Sequence, residues 1–315
     1  MSSQPTEFSG KLLGNKDASI TFPRQGFHFV ANSWVAPINT VEVLNQVAKL
    51  KNADAAEAAL KIYISEDATI GGEKYFAGNF EDITREALSA ADDNYKSAWG
   101  TIQPMQAFFL FANTPATIAL SYENVAWNTM LARKAAPKYA AEEAENVAVR
   151  IKMTAQSGRN DKVYIYEGEP FHSTKMMNEA PNVNIYVETE AGNYSTYATE
   201  NLEGTVLKIQ TNADTEYTLS FDWLKGETIY IKDMETNVVT AMTKDNTYTF
   251  TAAVNTTTRR FIITHEDVSS NVENAIVESA AKGVYTITGL YLGENIDLNT
   301  LPQGIYVVDG QKYIK

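Results

Sequence analysis

The chain of 315 residues contains no cysteine and only three histidines, His28, His172 and His265, far apart in sequence. The missing cysteine removes disulfides, thiol nucleophiles, thiolate zinc sites and iron–sulfur clusters together. The scarcity of histidine leaves little material for a catalytic base or a transition-metal site. No apolar run approaches the roughly 18 residues of a membrane-spanning helix, which excludes an integral helical membrane protein. Basic residues are the minority, 26 against 39 acidic, giving a formal charge of −13 and a pI near 4.8. Phosphate backbones and anionic lipid repel such a chain, so neither nucleic acid nor membrane is an expected partner. No phosphate-cradling glycine loop is present either: Gly71-Gly72 lacks the following Lys-Ser/Thr, and no GxGxxG occurs. Residues 1–17 lack the charged start and apolar stretch of a secretory signal. Met1 is then the start of a protein made without that signal, or of a trimmed chain.

What is present is material for packed cores, 44% hydrophobic and 21% charged residues, enough for about two domains. Ala18–Phe22 and Phe27–Val30 read as strands around a Pro23–Gly26 turn. Apolar residues at spacings of three and four predict a helix over 39–60. Lys61–Ser65 returns to a strand, and Gly71-Gly72 marks a turn. Residues 81–96 read as a second helix, with Asp82 or Thr84 as its cap. The run Gln106–Ala112 reads as a central strand buried on both faces. Residues 132–146, alanine-rich and charged with Pro137 inside, read as a linker.

From Val147 the pattern changes to alternation: Val163/Ile165 against Tyr164/Tyr166, then Ile185/Val187, Tyr217/Leu219/Phe221/Trp223, Tyr248/Phe250 and Phe261/Ile263. Period-two patterning with turn signals every 8–12 residues predicts an antiparallel sandwich. In the last block Pro302 starts a strand or sits at an edge, Gly304 permits a bulge, and Asp309-Gly310 is a hairpin signal. The expected fold is mainly β. It comprises two antiparallel β-sandwich, jelly-roll-like domains with helical insertions in the first, plus a short C-terminal β block. The expected boundaries are a first domain at 1–131, a linker at 132–146, a second domain at 147–267 and the last block at 268–315.

Three stretches resemble secreted and surface β proteins of the Bacteroidetes. Ala31-Asn-Ser-Trp-Val-Ala-Pro-Ile38 and Ile102-Gln-Pro-Met-Gln-Ala-Phe-Phe109 are similar to their "GNSWTAPI" and "IPPMQGFFV" segments, with Ala31 and Ala107 in place of glycines. Tyr217–Phe221, Ile229–Thr236, Tyr248–Ala252 and Arg260–Ile263 stand in the order of their "YTLSF", "VYLEDLKTG", "YTFTA" and "DRFVL" elements. Val284–Gly289, Leu301–Val308, Gly310–Lys312 and Lys315 resemble the C-terminal sorting domain of type IX secretion cargo. Its pattern falls here on Pro302, Gly304, Tyr306 and Lys312. The resemblance implies a secreted or cell-surface β protein and no particular reaction.

Chemistry is thinly represented. Asp92/Asp93 and Glu142/Glu143/Glu145 sit in polar, alanine-rich stretches and read as solvated surface. Glu188 and Glu190 share a strand face that suits an exposed rim or a weak calcium contact, and no calcium-hand loop is present. None of the histidines has a glycine-flanked serine to work with. Among four tryptophans, Trp223 is in phase with a core and Trp34 reads as a structural plug. Trp99 and Trp127 border loops and are the candidate ring platforms for a glycan. No cofactor, metal or catalytic residue is expected. The reading is a non-enzymatic structural or adhesion protein that binds other protein subunits or surface glycans, homo-oligomers included. Two alternatives stand beside it: a capsid-decoration, tail or fibre protein of a phage infecting these bacteria, found in the virion, and a glycan-binding accessory module.

Overall fold

The computed structural model describes residues 16–48, 56–125, 147–265, 283–286, 291–293, 296–308 and 311–315. They form two compact units, Met1–His265 and Glu266–Lys315. The chain is mainly β, with two sandwiches in the first unit and a four-stranded block in the second.

The first sandwich is built on a four-stranded antiparallel sheet in the order Gly26–Ala31, Ala107–Ala112, Ala59–Ile64, Asn79–Thr84. Leu60, Ile62, Ile64, Ile83, Phe108 and Leu110 point from it into one core. That core is closed by the helix Thr40–Ala48, through Val43, Leu44 and Val47, and by a ladder of Ala18–Phe22 with Ala116–Leu120. The two N-terminal strands therefore do not pair with each other across the Pro23–Gly26 turn; Ala18–Phe22 pairs with Ala116–Leu120 and Gly26–Ala31 with Ala107–Ala112.

Three local expectations are corrected here. The described helix is Thr40–Ala48, and Ala59–Ile64, the end of the expected helix, is strand. The alternation of Leu60, Ile62 and Ile64 decides it, with the alanines before it concealing where the period changes. The 81–96 segment is a strand, Asn79–Thr84, followed by two short helices, Arg85–Ala90 and Asp93–Trp99. Thr84 caps the first of these, accepting from Ala87 N–H, and Asp92 caps the second, accepting from Tyr95 N–H. Asp82 caps nothing; it faces Lys61 across the ladder. Lastly, Ala107–Ala112 is buried on one face only. Phe108, Leu110 and Ala112 enter the core, while Phe109 and Phe111 stand on the outer face.

The second sandwich, Val147 to His265, follows one hydrogen-bonded path. It runs Val239–Ala241, Tyr230–Asp233, Thr257–Thr264, Val206–Gln210, Asn184–Glu188, Asn193–Thr199, Asn160–Glu167, Ala148–Ala155, Glu216–Lys225, Thr247–Thr251, with Phe171–Thr174 alongside Asn193–Thr199. The path folds over on itself: Phe250, near one end, meets Phe261 from the other half edge to face at 5.1 Å. The pairings are antiparallel except that of Asn160–Glu167 with Asn193–Thr199, which is parallel. Val163, Ile165, Ile185, Val187, Leu219 and Phe221 fill this core as the alternation predicts.

Trp223 does not join them. Its φ of 53° and the register shift opposite Ala148–Arg150 form an irregularity that re-aims the side chain. The indole leaves the second core and packs on Tyr95 and Tyr164, at 4.6 and 5.5 Å.

In the second unit, Tyr291–Gly293, Val284–Thr286, Ile305–Val308 and Gln311–Ile314 make an antiparallel sheet in that order. Val308 pairs with Gln311, as a two-residue connection requires. The Asp309-Gly310 turn itself, the 132–146 linker and Glu142/Glu143/Glu145 lie outside the described residues.

Candidate functional site

Between the two sandwiches lies the densest polar chemistry of the chain, and the strand Asn79–Thr84 is at its centre. It is the last strand of the first sheet, and side chains of the second sandwich reach it on both faces, at Glu81 and at Asp82. On the outer face, Lys61 Nζ lies 2.5 Å from Asp82 Oδ1 and donates to Ser173 Oγ at 2.7 Å and Ser195 Oγ at 3.0 Å. Asp82 Oδ2 accepts from Ser195 and Thr196 at 2.9 and 2.6 Å. Lys61 and Asp82 are 2% and 6% exposed, so this pair is dry. Burial alone would raise the Asp82 carboxyl, yet Lys61 and the Ser195 and Thr196 hydroxyls hold it below its ordinary value.

On the core-facing side, Glu81 accepts from Tyr95 Oη at 2.9 Å and Tyr164 Oη at 2.8 Å, and pairs with Lys162 at 3.3 Å. Lys162 also reaches Glu73 at 3.1 Å and Tyr75 Oη at 3.0 Å. Arg150 pairs with Glu73 at 2.6 Å, binds both Asp222 oxygens, and lies 4.0 Å over the Trp223 ring. Burial opposes ionisation of Glu73, but Lys162, Arg150 and Lys152 bring its pKa down to about 2. Burial likewise opposes the Lys162 charge, and Glu81, Tyr75 and Glu73 reverse the effect, raising it. Burial and the Glu81 charge push the Tyr95 and Tyr164 phenols well up, so both stay protonated donors. Asparagines close the ends: Asn79 donates to Asn160 O, and Phe80 N–H donates to Asn178 Oδ1.

A lysine within hydrogen-bond reach of two serines has the composition of a Ser–Lys nucleophile pair. Here the Lys61 amine is taken up by the Asp82 carboxylate at 2.5 Å, and Ser173 is fully buried. The cavity among Lys61, Glu81, Asp82, Asp161, Lys162 and Lys175 holds about 20 Å³, room for roughly one water. Small-molecule sites run to about 300–1,000 Å³. What the arrangement does is fix two sandwiches in one register.

No protein-family model, curated protein or solved structure matches this chain.

The expected site residues are not at this joint's polar heart. Trp99 is corrected: it is 4% exposed, packed on Tyr75 and Tyr95 in the first core, and offers no ring to solvent. Trp127 lies outside the described residues. Trp34 is buried as a plug, its Nε1 donating to Lys16 O at 2.9 Å. Pro302, Gly304, Tyr306 and Lys312 do come together as one hairpin. Tyr306 Oη donates to Pro302 O, Gly304 exchanges hydrogen bonds with Lys315, and Lys312 pairs with Val307. Glu188 is tied to Lys208 and Arg259. His28 bonds Arg24 O, His172 lies 3.9 Å from Glu57, and His265 sits between Glu167 and Glu203. Among the described residues no group of His, Asp or Glu side chains is arranged to hold a metal ion, and no helix is long and apolar enough to cross a membrane.

Lys61, Glu73, Glu81, Asp82, Arg150 and Lys162 could not be singled out from the sequence. Arg150 and Lys162 occupy the polar phase of alternating strands, where a solvated face is the ordinary reading, and Glu81 and Asp82 fall in a segment whose local preference is helical. The one available signal was the company they keep: Tyr164 and Tyr166 beside Lys162 make that phase too aromatic for an open surface.

Proposed function

We propose that this chain is a non-enzymatic structural or adhesion protein of the Bacteroidetes cell-surface type, acting through β-domain assembly and surface binding. The observation that supports this best is the joint. Its serines, lysines and carboxylates satisfy one another inside the protein, leaving their chemistry committed to rigidity. A rigid pair of sandwiches suits a part that bears load or presents a surface. The Pro302–Lys315 hairpin accords with the sorting-domain resemblance and with a secreted or surface location.

The test is fractionation of the native source, with intact-mass analysis of the recovered chain. Recovery in the surface or secreted fraction, within assemblies larger than one chain, supports the proposal. Recovery in purified phage particles moves the protein to the virion reading. A free monomer that turns over a substrate, with loss of turnover on a Lys61 or Ser195 change that leaves the fold intact, overturns it.

A further inference from the structure

The two edges of the first sheet are treated in opposite ways. The Asn79–Thr84 edge meets the second sandwich, its Phe80 N–H donating to Asn178 Oδ1 and its Asn79 side chain donating to Asn160 O. Gly26–Ala31 is the other edge, and among the described residues no strand pairs with its outer side. Exposed edges are ordinarily blunted by charge, proline or a bulge. The sequence Gly26-Phe-His-Phe-Val-Ala31 contains no lysine, arginine, carboxylate or proline, and its ladder to Ala107–Ala112 runs without a register shift.

The face beside this edge is apolar. Phe27 and Phe111 meet at 4.9 Å, Phe29 and Phe109 at 5.1 Å, and Phe80 joins Phe109 and Tyr63 at 6.1 and 5.1 Å. Phe29 is 67% exposed and Tyr63 40%. Just past the strand ends, Val35 and Met105 are 57% and 56% exposed. Met105 is held at φ 64°, a left-handed conformation unusual for its type. Asn32 fixes both loops there, accepting Met105 N–H at its carbonyl and donating to Ala36 O and Ile102 O. The edge is therefore preorganised and apolar.

We infer that the Gly26–Ala31 edge pairs antiparallel with the same edge of a second copy, joining two four-stranded sheets across a two-fold axis. The inference rests on the assembly reading above and names its partner. An antiparallel ladder is its own mate under a two-fold, so an uncharged edge needs no second surface to match it. Asn32 N–H donates to Gln106 O, so by alternation the odd residues, Phe27 and Phe29, direct their backbone groups outward. Hydrogen bonding then requires odd residues to face odd ones. With His28 opposite its own copy, Phe27 of each chain meets Phe29 of the other, and the two aromatic rows become one. The pairing covers the Gly26–Ala31 backbone groups and sets the exposed Phe29 of each copy against Phe27 of the other.

The absence of cysteine makes the test clean. Sedimentation of the full chain should show a concentration-dependent dimer. Phe29→Lys, on an exposed side chain, should weaken it about 30-fold or more with an unchanged circular dichroism spectrum. His28→Cys sits at a non-hydrogen-bonded pair, where Cα atoms lie about 4.5 Å apart. It should form a disulfide dimer under mild oxidation, whereas Glu200→Cys on the second sandwich should not. A dimer that survives Phe29→Lys, or equal cross-linking of both cysteine variants, removes this interface while leaving assembly through another face standing. A chain that stays monomeric at all concentrations and is recovered free from its source removes both.

Discussion

Asp82 and Lys61 illustrate what a single residue means in this protein. Both are buried, and each is tolerated because of the other and the three hydroxyls around them. Removing one partner strands a buried charge. Asp82→Ala should lower stability by about 3–5 kcal/mol, read from urea unfolding midpoints. The double change Lys61→Met with Asp82→Leu should recover most of that loss, since the isolated charge has gone with its partner. Glu73 supplies a pH signature. Its carboxyl ionises at about 2 in the folded protein against an ordinary 4.5, so its contribution is complete above about pH 4.5 and is lost as the pH falls towards 2. That contribution is about 3 kcal/mol. Glu73→Gln should flatten the acid limb of a stability profile between those limits, and an unchanged limb would assign acid unfolding elsewhere.

At the scale of the element, local chemistry and pairing divide the decisions between them. Thr84 and Asp92 each satisfy a helix N-terminus, and replacing either with alanine should cost about 1 kcal/mol. The two should add, because they serve separate helices; thermal unfolding of the singles and the double tests it. The alternation from Val147 onward was legible because one face of each strand lies in a continuous core. The 39–60 and 81–96 segments misread because alanine and glutamate favour helix while the pairing of Ala59–Ile64 with Asn79–Thr84 is settled by tertiary contacts. Trp223 misread for a different reason: its neighbours Leu219 and Phe221 set a phase that one left-handed residue then broke. The joint was illegible for the reason its residues look ordinary. A strand's polar phase looks the same whether it meets water or another domain.

For the whole molecule, the joint makes two sandwiches behave as one. Residues 16–265 should unfold in a single calorimetric transition, because separating the sandwiches would break the Glu73–Arg150, Glu73–Lys162 and Glu81–Lys162 pairs and take Ser195 and Thr196 from Asp82. Asp82→Ala should split that transition into two, one for each core. A wild-type thermogram already showing two transitions within the first unit would mean that the joint couples the sandwiches only weakly.

The joint also has a consequence for the order of events during synthesis. Lys61 must find Ser195 across 134 residues of chain, while the helices and hairpins of each sandwich close over far shorter loops. Loop closure over such separations comes late, so Lys61, Asp82, Lys162 and Glu81 spend the early life of the chain in water. The nascent protein then passes through a stage with both sandwiches formed and the Asn79–Thr84 edge still bare. Docking has to strip the water from those ions before their attraction is realised. Salt during refolding should slow that last step and leave the earlier ones untouched.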